Sequence, residues 1–263
     1  AHPGRIAMSD SSNLPTLAVS GHRATIQLNR PAVHNRIEPP DIATLMRLLD
    51  EVDANRDIRV VVFAATGKSF SSGFHIGEIG AASRESTTAG FDELTDRVER
   101  MRPASIAALN GGVYGGSTDL ALACDFRVGV TGMTMFMPAA RLGLHYYPGG
   151  MQRYVSRLGL NAAKRLFLTA DRLDGAELLR IGFLTELVAP DALAAHVDAL
   201  ATTLAANAPL AVQGMKRALN DIARGDADLA AIAARAKANG DSADLKEGQR
   251  AWMEKRTPKF TGS

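Results

Sequence analysis

The sequence predicts an α/β fold with parallel strands, followed by a region made only of helices. Three apolar runs, at 59–66, 105–110 and 126–130, lack the polar alternation of half-exposed strands and are typical of strands covered on both faces. Helical periodicity intervenes along the chain, as crossover connections between parallel strands require. From about residue 190 onward, alanine-rich helical sequence continues and strand patterns no longer occur.

The composition is that of a soluble globular protein. Of the 263 residues, 46% are apolar and 22% are charged, which is enough apolar sequence to bury a large core. The 30 basic and 28 acidic residues are mixed along the chain and give a formal charge of +2, so no basic stripe indicates a nucleic-acid or membrane partner. No apolar run of 18 or more residues predicts a membrane helix, and we expect a cytoplasmic location.

The sequence gives no indication of a metal site or of a serine hydrolase. Cys124 is the single cysteine and lies in the apolar segment "LALAC", so neither an intramolecular disulfide nor a thiolate cluster is expected. No two histidines stand at the helical spacing of metal ligands. No G-x-S-x-G motif occurs. We therefore expect chemistry without a bound metal.

The elements at the start of the chain follow in order. Two short apolar runs flank Gly21-His22-Arg23 and predict a hairpin. The segment 39–55 begins with two prolines and carries apolar residues at helical spacing, which predicts a helix. A further helix is expected over 91–102. The segment 80–90, rich in small and polar residues, predicts a mobile loop beside the functional site.

Two glycine-containing loops follow neighbouring buried strands. The strand at 59–66 runs into "TGKSFSSGFHIGEI", and the strand at 105–110 runs into "NGGVYGGSTD". The C-terminal ends of parallel strands form the edge at which open α/β sheets bind ligands, so the two loops are expected to face each other. Gly115 and Gly116 stand where a helix begins, and its first N–H groups lack intrahelical acceptors. One N–H from each loop could hold a carbonyl oxygen, whereas the second loop alone also fits a tight strand-to-helix turn.

Five segments follow one another in a specific order, namely "KSFSSGFHIGEI", "NGGVYGGSTDLALACDFRV", "FMPAARLGLHYYPGGMQRYVSRLG", "AAKRLFLTADRLDGAELLRIGFLTELV" and a terminal "AWMEKRTPKF". This order resembles the crotonase superfamily of enoyl-CoA hydratases and isomerases, over about residues 15–260. The resemblance implies a crotonase-like spiral of ββα units over 14–195 and a C-terminal all-helical oligomerisation region over 196–263. It also implies an acyl-CoA substrate, with coenzyme A as part of the substrate rather than a separate cofactor, and a homotrimer or a dimer of trimers.

The resemblance places the family's two oxyanion donors on the backbone N–H groups of Phe74 and Gly116. Removing a proton from C2 of a thioester, or adding water at C3, puts negative charge on the carbonyl oxygen. Two preorganised donors stabilise that charge by about 3 kcal/mol each. The glycines of the two loops would then serve close approach of the substrate to the backbone.

Other matched positions concern the coenzyme A arm. The resemblance places the backbone of Ser72 and Ile76 against the adenine end, Lys68 near a phosphate, and Phe260 near the adenine, often from a neighbouring subunit. Alternatively, Lys68 is a solvated surface residue and Phe260 anchors the last helix. Ala32 stands where the family often has a basic residue, so one phosphate contact is expected to be missing.

The sequence departs from the family's hydratases at both catalytic glutamates. The first glutamate position falls on Asp119 and the second on Ala139. Because hydration requires that water be held and deprotonated while a proton is managed at C2, one shortened carboxylate leaves the standard mechanism incomplete. Asp119 is the predicted acid–base residue, and the alternative is that it stabilises the helix N-terminus.

Two residues could replace the lost glutamate. His145, Tyr146 and Tyr147 follow the vacant position closely, and Tyr146 matches a tyrosine of the methylmalonyl-CoA decarboxylase branch of the superfamily. That branch has a histidine at the place of Phe74, and here the histidine comes one residue later. Histidine titrates near neutral pH and is a possible base.

Three functional hypotheses follow. The first is hydration or isomerisation of an enoyl thioester, with Asp119 as the acid–base group. The second is decarboxylation of a malonyl-type thioester or C–C cleavage on the same fold, which needs an oxyanion hole but no strong base. The third is an acyl-CoA-binding paralogue without catalysis, which the retained loops make less expected.

Overall fold

The computed structural model describes residues 13–75 and 90–263, which form two β-sheets surrounded by helices. The strands are β1 Thr16–Ser20, β2 Arg23–Leu28, β3 Val60–Ala65, β4 Ser69–Ser71, β5 Ala104–Leu109, β6 Gly112–Tyr114, β7 Phe126–Val130, β8 Thr134–Phe136, β9 Leu173–Asp174 and β10 Glu186–Val188. The helices are α1 Pro39–Ala54, α2 Phe91–Arg100, α3 Gly116–Ala123, α4 Pro148–Leu158, α5 Leu160–Lys164, α6 Gly175–Arg180, α7 Leu193–Ala206, α8 Pro209–Arg224, α9 Leu229–Gly240 and α10 Ala243–Met253.

From β3 to β8, successive strands alternate between the two sheets. The larger sheet has the order β1-β2-β3-β5-β7-β10, in which only the β1–β2 hairpin is antiparallel. The smaller sheet has the order β4-β6-β8-β9. The pairs β3–β4, β5–β6 and β7–β8 each give their first strand to the larger sheet and their second to the smaller one. This alternation produces the predicted spiral of ββα units.

The strands predicted from sequence are confirmed. The hairpin forms at β1–β2, and the three buried runs form β3, β5 and β7, side by side and parallel. The helix predicted over 39–55 is α1, which begins with a capping box in which the carboxylates of Glu38 and Asp41 accept from backbone N–H groups. The strands of the smaller sheet are two or three residues long, too short to show a period of two in the sequence. Of the predicted loop 80–90, residues 80–89 lie outside the described residues.

The helix α7 joins the spiral to the C-terminal helices. The predicted division after residue 195 falls inside this helix, and Val197 and Ala201 are buried against Val60 and Val62 on the outer face of the larger sheet. Packing is therefore continuous across the predicted boundary.

Beyond α7, the helices α8 to α10 confirm the predicted all-helical C-terminal region. They expose large apolar side chains, among them Met215 (58% exposed), Leu219 (65%) and Trp252 (86%). Exposed apolar surface of this kind is typical of protein interfaces, and oligomerisation stays a prediction. None of the helices within 13–75 and 90–263 is long and apolar enough to cross a membrane.

Candidate active site

In the first glycine loop, one backbone N–H points away from the neighbouring segment around Ile37. The loop forms a parallel bridge between Ile37 and Phe74, in which Ile37 N–H donates to the Gly73 carbonyl (2.9 Å) and His75 N–H donates to the Ile37 carbonyl (3.0 Å). This pattern uses the backbone groups on either side of Phe74. The N–H of Phe74 itself has no acceptor among the described residues and is directed away from Ile37.

The second glycine loop ends at the N-terminus of α3. Gly115 has φ of +55° and donates its N–H to the Phe136 carbonyl (3.1 Å). Gly116 is the first residue of α3, so its N–H has no intrahelical acceptor, and none is found elsewhere in 13–75 and 90–263. Negative charge at this position is favoured by the helix dipole.

The two loops are in direct contact. Gly73 has φ of +90°, and a Cβ atom there would lie 2.5 Å from the Tyr114 carbonyl oxygen and 2.9 Å from the Gly116 nitrogen. Only glycine permits both the conformation and the approach. The Ser117 hydroxyl donates to the Ser71 carbonyl (2.9 Å) and ties the loops together. The structure thus brings Phe74 and Gly116, predicted as donors, to one place.

A cavity of about 80 Å³ opens at these loops. It is lined mainly by apolar groups, together with the polar side chains of Ser72, His145, Tyr146 and Tyr147. Ala139, predicted to stand at the position of the second hydratase glutamate, is buried and belongs to the lining. No carboxylate occurs among the described lining residues.

Asp119 is fully buried and makes ion-pair and hydrogen-bond contacts behind the lining. Arg153 binds both carboxylate oxygens, from Nε to Oδ1 (2.9 Å) and from Nη2 to Oδ2 (2.7 Å). Tyr147 donates its hydroxyl to Oδ2 at 2.6 Å. This geometry differs from the free acid–base group expected from the sequence, because the shortened side chain ends at a guanidinium rather than in the cavity.

The ion pair continues into a buried network. Burial alone would lower the pKa of Arg153, but the hydrogen bonds and charge of Asp119 raise it above its ordinary value. Arg153 also contacts the carboxylate of Asp96 (2.7 Å) and that of Glu99 (3.5 Å). Glu99 in turn binds Arg157 of α4 (2.9 Å) and Arg224 of α8 (3.1 Å). The carboxylate of Asp119 is thus compensated by charge on neighbouring helices.

His145 stands at the rim of the cavity in a defined tautomer. Its Nδ1 lies 2.9 Å from the carbonyl oxygen of Tyr146. A carbonyl oxygen only accepts, so Nδ1 carries the proton, and the neutral ring keeps its lone pair on Nε2. Tyr146 lies beside it, buried at 8% exposure, with its ring stacked on Tyr147 at a centroid distance of 4.2 Å.

The residues predicted to bind coenzyme A are spread over a wider area. Ser72 belongs to the cavity lining, while Lys68 is exposed on the preceding turn. Ile76 lies outside the described residues. Phe260 lines a separate hollow with Trp252, and its carbonyl accepts from Arg59 (2.8 Å). Their roles stay predictions.

Sequence reasoning placed Tyr147 near the vacant glutamate position without giving it a role, and it missed Arg153. A signal for Arg153 was present, because Asp119 lies in the apolar segment "DLALAC" and a buried carboxylate requires a cationic partner. On α4, Gly150, Arg153 and Tyr154 form the buried face at helical spacing, which places that partner inward.

The two-sheet spiral with its paired loops defines a fold of the crotonase class, and comparison with known proteins agrees. Residues 21–263 match the family model described as enoyl-CoA hydratase/isomerase. The chain therefore belongs to the enoyl-CoA hydratase/isomerase family.

Individual relatives are similar over nearly their whole length. A short-chain-enoyl-CoA hydratase of Clostridium acetobutylicum is 30% identical, covering 91% of this chain and 94% of the relative. An (E)-benzylidenesuccinyl-CoA hydratase of Thauera aromatica is 32% identical, covering 94% and 99%. The solved structure of an enoyl-CoA hydratase/carnithine racemase from Magnetospirillum magneticum superimposes with a TM-score of 0.90 at 27% identity, covering 96% and 97%.

Proposed function

We propose that the protein is an enzyme that hydrates or isomerises an enoyl-CoA thioester through an enolate held by the N–H groups of Phe74 and Gly116. The observation that carries this proposal is the contact between two loops in which the N–H groups of Phe74 and Gly116 have no acceptor in the described part of the chain. A thioester oxygen placed between them would receive two hydrogen bonds that strengthen as negative charge develops. Coenzyme A enters as part of the substrate, with Lys68 near its phosphates.

Proton transfer is assigned to His145. Among the described lining residues, His145 carries the imidazole, and with Nδ1 donating to the Tyr146 carbonyl its Nε2 lone pair is the atom that can accept a proton. Asp119 does not transfer the proton in this proposal, because Arg153 and Tyr147 occupy its carboxylate.

One histidine is sufficient for the addition of water. Nε2 takes a proton from water as the oxygen bonds to C3, and the C2–C3 π electrons move toward the thioester, whose oxygen gains the negative charge. The two N–H groups stabilise this enolate. The protonated histidine then returns the proton to C2, which gives the 3-hydroxyacyl thioester and restores the neutral ring.

The test is mass spectrometry of the purified protein with enoyl-, 3-hydroxyacyl- and malonyl-type CoA thioesters in D2O. We expect a gain of water or of deuterium at C2 with the enoyl thioesters. His145→Gln should lower the rate by about 100-fold or more, while thioester binding is retained.

Other outcomes separate the alternative hypotheses. An unchanged rate in His145→Gln would exclude His145 as the proton carrier. Release of CO2 from a malonyl-type thioester would assign the protein to the decarboxylase alternative. Binding of thioesters without any turnover would indicate the non-catalytic paralogue. His22→Gln, a substitution at an exposed histidine of the β1–β2 turn, is the matched control.

A further inference from the structure

A chain of hydrogen bonds leads from the cavity to the buried ion pair. The hydroxyl of Tyr146 donates to the hydroxyl oxygen of Tyr147 (3.1 Å), and Tyr147 donates to Oδ2 of Asp119 (2.6 Å). Both tyrosines line the cavity, whereas Asp119 lies behind it. The proposed function gives Tyr147 no part in the reaction beyond its bond to Asp119, and it assigns no role to this series of hydrogen bonds.

The donor and acceptor in each of these hydrogen bonds follow from the state of Asp119, at the end away from the cavity. Asp119 is bound through both oxygens by Arg153, so its carboxylate is ionised and only accepts. Because each phenol has a single O–H, Tyr147 must use its proton on Asp119 and receive that of Tyr146. The Thr95 hydroxyl lies 3.3 Å from the Tyr147 oxygen and donates to the Asp92 carbonyl (3.0 Å), which leaves this assignment unchanged.

The phenols keep their protons over a wide pH range. Burial, together with the charge of Asp119, raises the pKa of Tyr147 well above its ordinary value. Burial and the neighbouring Tyr147 raise the pKa of Tyr146 in the same way. With its own proton committed to Tyr147, Tyr146 has only an oxygen lone pair left for a ligand.

We propose that Tyr147, held by Asp119, is a positioning residue that orients Tyr146 as a hydrogen-bond acceptor. The site then favours a ligand that donates an O–H, either water or a hydroxylated thioester, over a thioester with a free carboxylate. This inference rests on the proposed function, since it requires that acyl-CoA thioesters bind in this cavity. A 3-hydroxyacyl group can donate its O–H to the Tyr146 oxygen. A malonyl-type carboxylate has only acceptor oxygens, so it cannot form a hydrogen bond with that oxygen.

The experiment compares dissociation constants measured by calorimetry for 3-hydroxybutyryl-CoA, butyryl-CoA and malonyl-CoA. The wild-type protein should bind the hydroxylated thioester about fivefold more tightly than butyryl-CoA, the effect of about one hydrogen bond, and malonyl-CoA more weakly than either. In Tyr147→Phe, the Tyr146 hydroxyl is released and can donate. The hydroxyl preference should then fall below about twofold and malonyl-CoA should bind about fivefold more tightly than in the wild type.

The gain in malonyl-CoA affinity distinguishes positioning from a structural role, because a loosened fold does not bind a ligand more tightly. Tyr154→Phe removes a buried hydroxyl bonded to Thr118 instead, and should leave all three ratios unchanged. Unaltered ratios in Tyr147→Phe would overturn the inference. If that variant fails to fold, Tyr146→Phe serves in its place and must lose the hydroxyl preference. If the wild-type protein binds none of the thioesters, the proposed function fails as well.

Discussion

The cavity has two walls that hold their functional atoms in different ways. One wall is backbone, where the N–H groups of Phe74 and Gly116 are fixed by positive-φ glycines and by contact between loops. The other wall is made of side chains, where Tyr146 and Tyr147 are fixed by an ion pair behind them. The backbone wall holds its donors without a charged group, whereas the side-chain wall depends on compensation of the Asp119 charge by Arg153.

The two walls differ in how far they depend on the side chains at 119 and 139. Under the proposed function, the backbone donors act on the thioester oxygen whatever the reaction, so they are independent of the residues at 119 and 139. The side-chain wall can then change its chemistry while the enolate-stabilising wall is kept. Asp119 holds Tyr147 of the side-chain wall in place and does not itself line the cavity.

Breaking the ion pair should have the largest effect. Arg153→Met leaves the Asp119 carboxylate buried without its main partner, and we expect the free energy of unfolding to fall by about 3–5 kcal/mol. Urea denaturation measures this change. Arg47→Met, at an exposed pair with Glu51, is the control and should have no measurable effect.

The double variant Arg153→Met/Asp119→Leu should recover much of the stability, because the unpaired charge is removed as well. If Arg153→Met alone is as stable as the wild type, the side-chain wall does not depend on charge compensation and the contrast between the walls disappears.

Disturbing the backbone wall should affect turnover before stability. In Gly73→Ala the new Cβ would lie 2.5 Å from the Tyr114 carbonyl oxygen, so the loops must separate. The loss of one aligned donor should lower kcat by about 100-fold to 1000-fold, measured as deuterium exchange at C2. Gly132→Ala is the matched control, because Gly132 has φ of +86° with nothing within 4 Å of a Cβ atom. An equal fall in rate in both variants would show that backbone strain, rather than donor alignment, limits the reaction.

The difference between the walls also explains what the sequence could predict. The two facing loops were predictable because small residues and glycine follow two neighbouring buried strands, whereas the donor roles of Phe74 and Gly116 came from the resemblance to the family and stay predictions. The need of Asp119 for a buried cationic partner could be predicted from its apolar segment, but which side chains meet it could not, since that depends on how α3 packs against α4. The small-sheet strands were missed for a related reason: runs of two or three residues such as Leu173–Asp174 are held by pairing to other parts of the chain.

The smallest effect, absent near neutral pH, concerns the protonation of the side-chain wall. Burial raises the pKa of Tyr146, Tyr147 and Tyr154 above the ordinary value, so these three of the four tyrosines should remain neutral in the native protein at about pH 11. Ultraviolet absorbance of tyrosinate measures this, and the same titration in denaturant should ionise all four.

The sign of the stability change follows from proton uptake. Above about pH 10 the unfolded chain loses these phenolic protons while the native protein keeps them, so the unfolded state binds fewer protons and stability falls as pH rises. Each retained proton contributes a slope of about 1.4 kcal/mol per pH unit, present above the unfolded pKa and absent below it. Ionisation of these tyrosines in the native protein near pH 10 would mean that the side-chain wall is open to water, and Tyr146 would then have no fixed direction in which to accept a hydrogen bond.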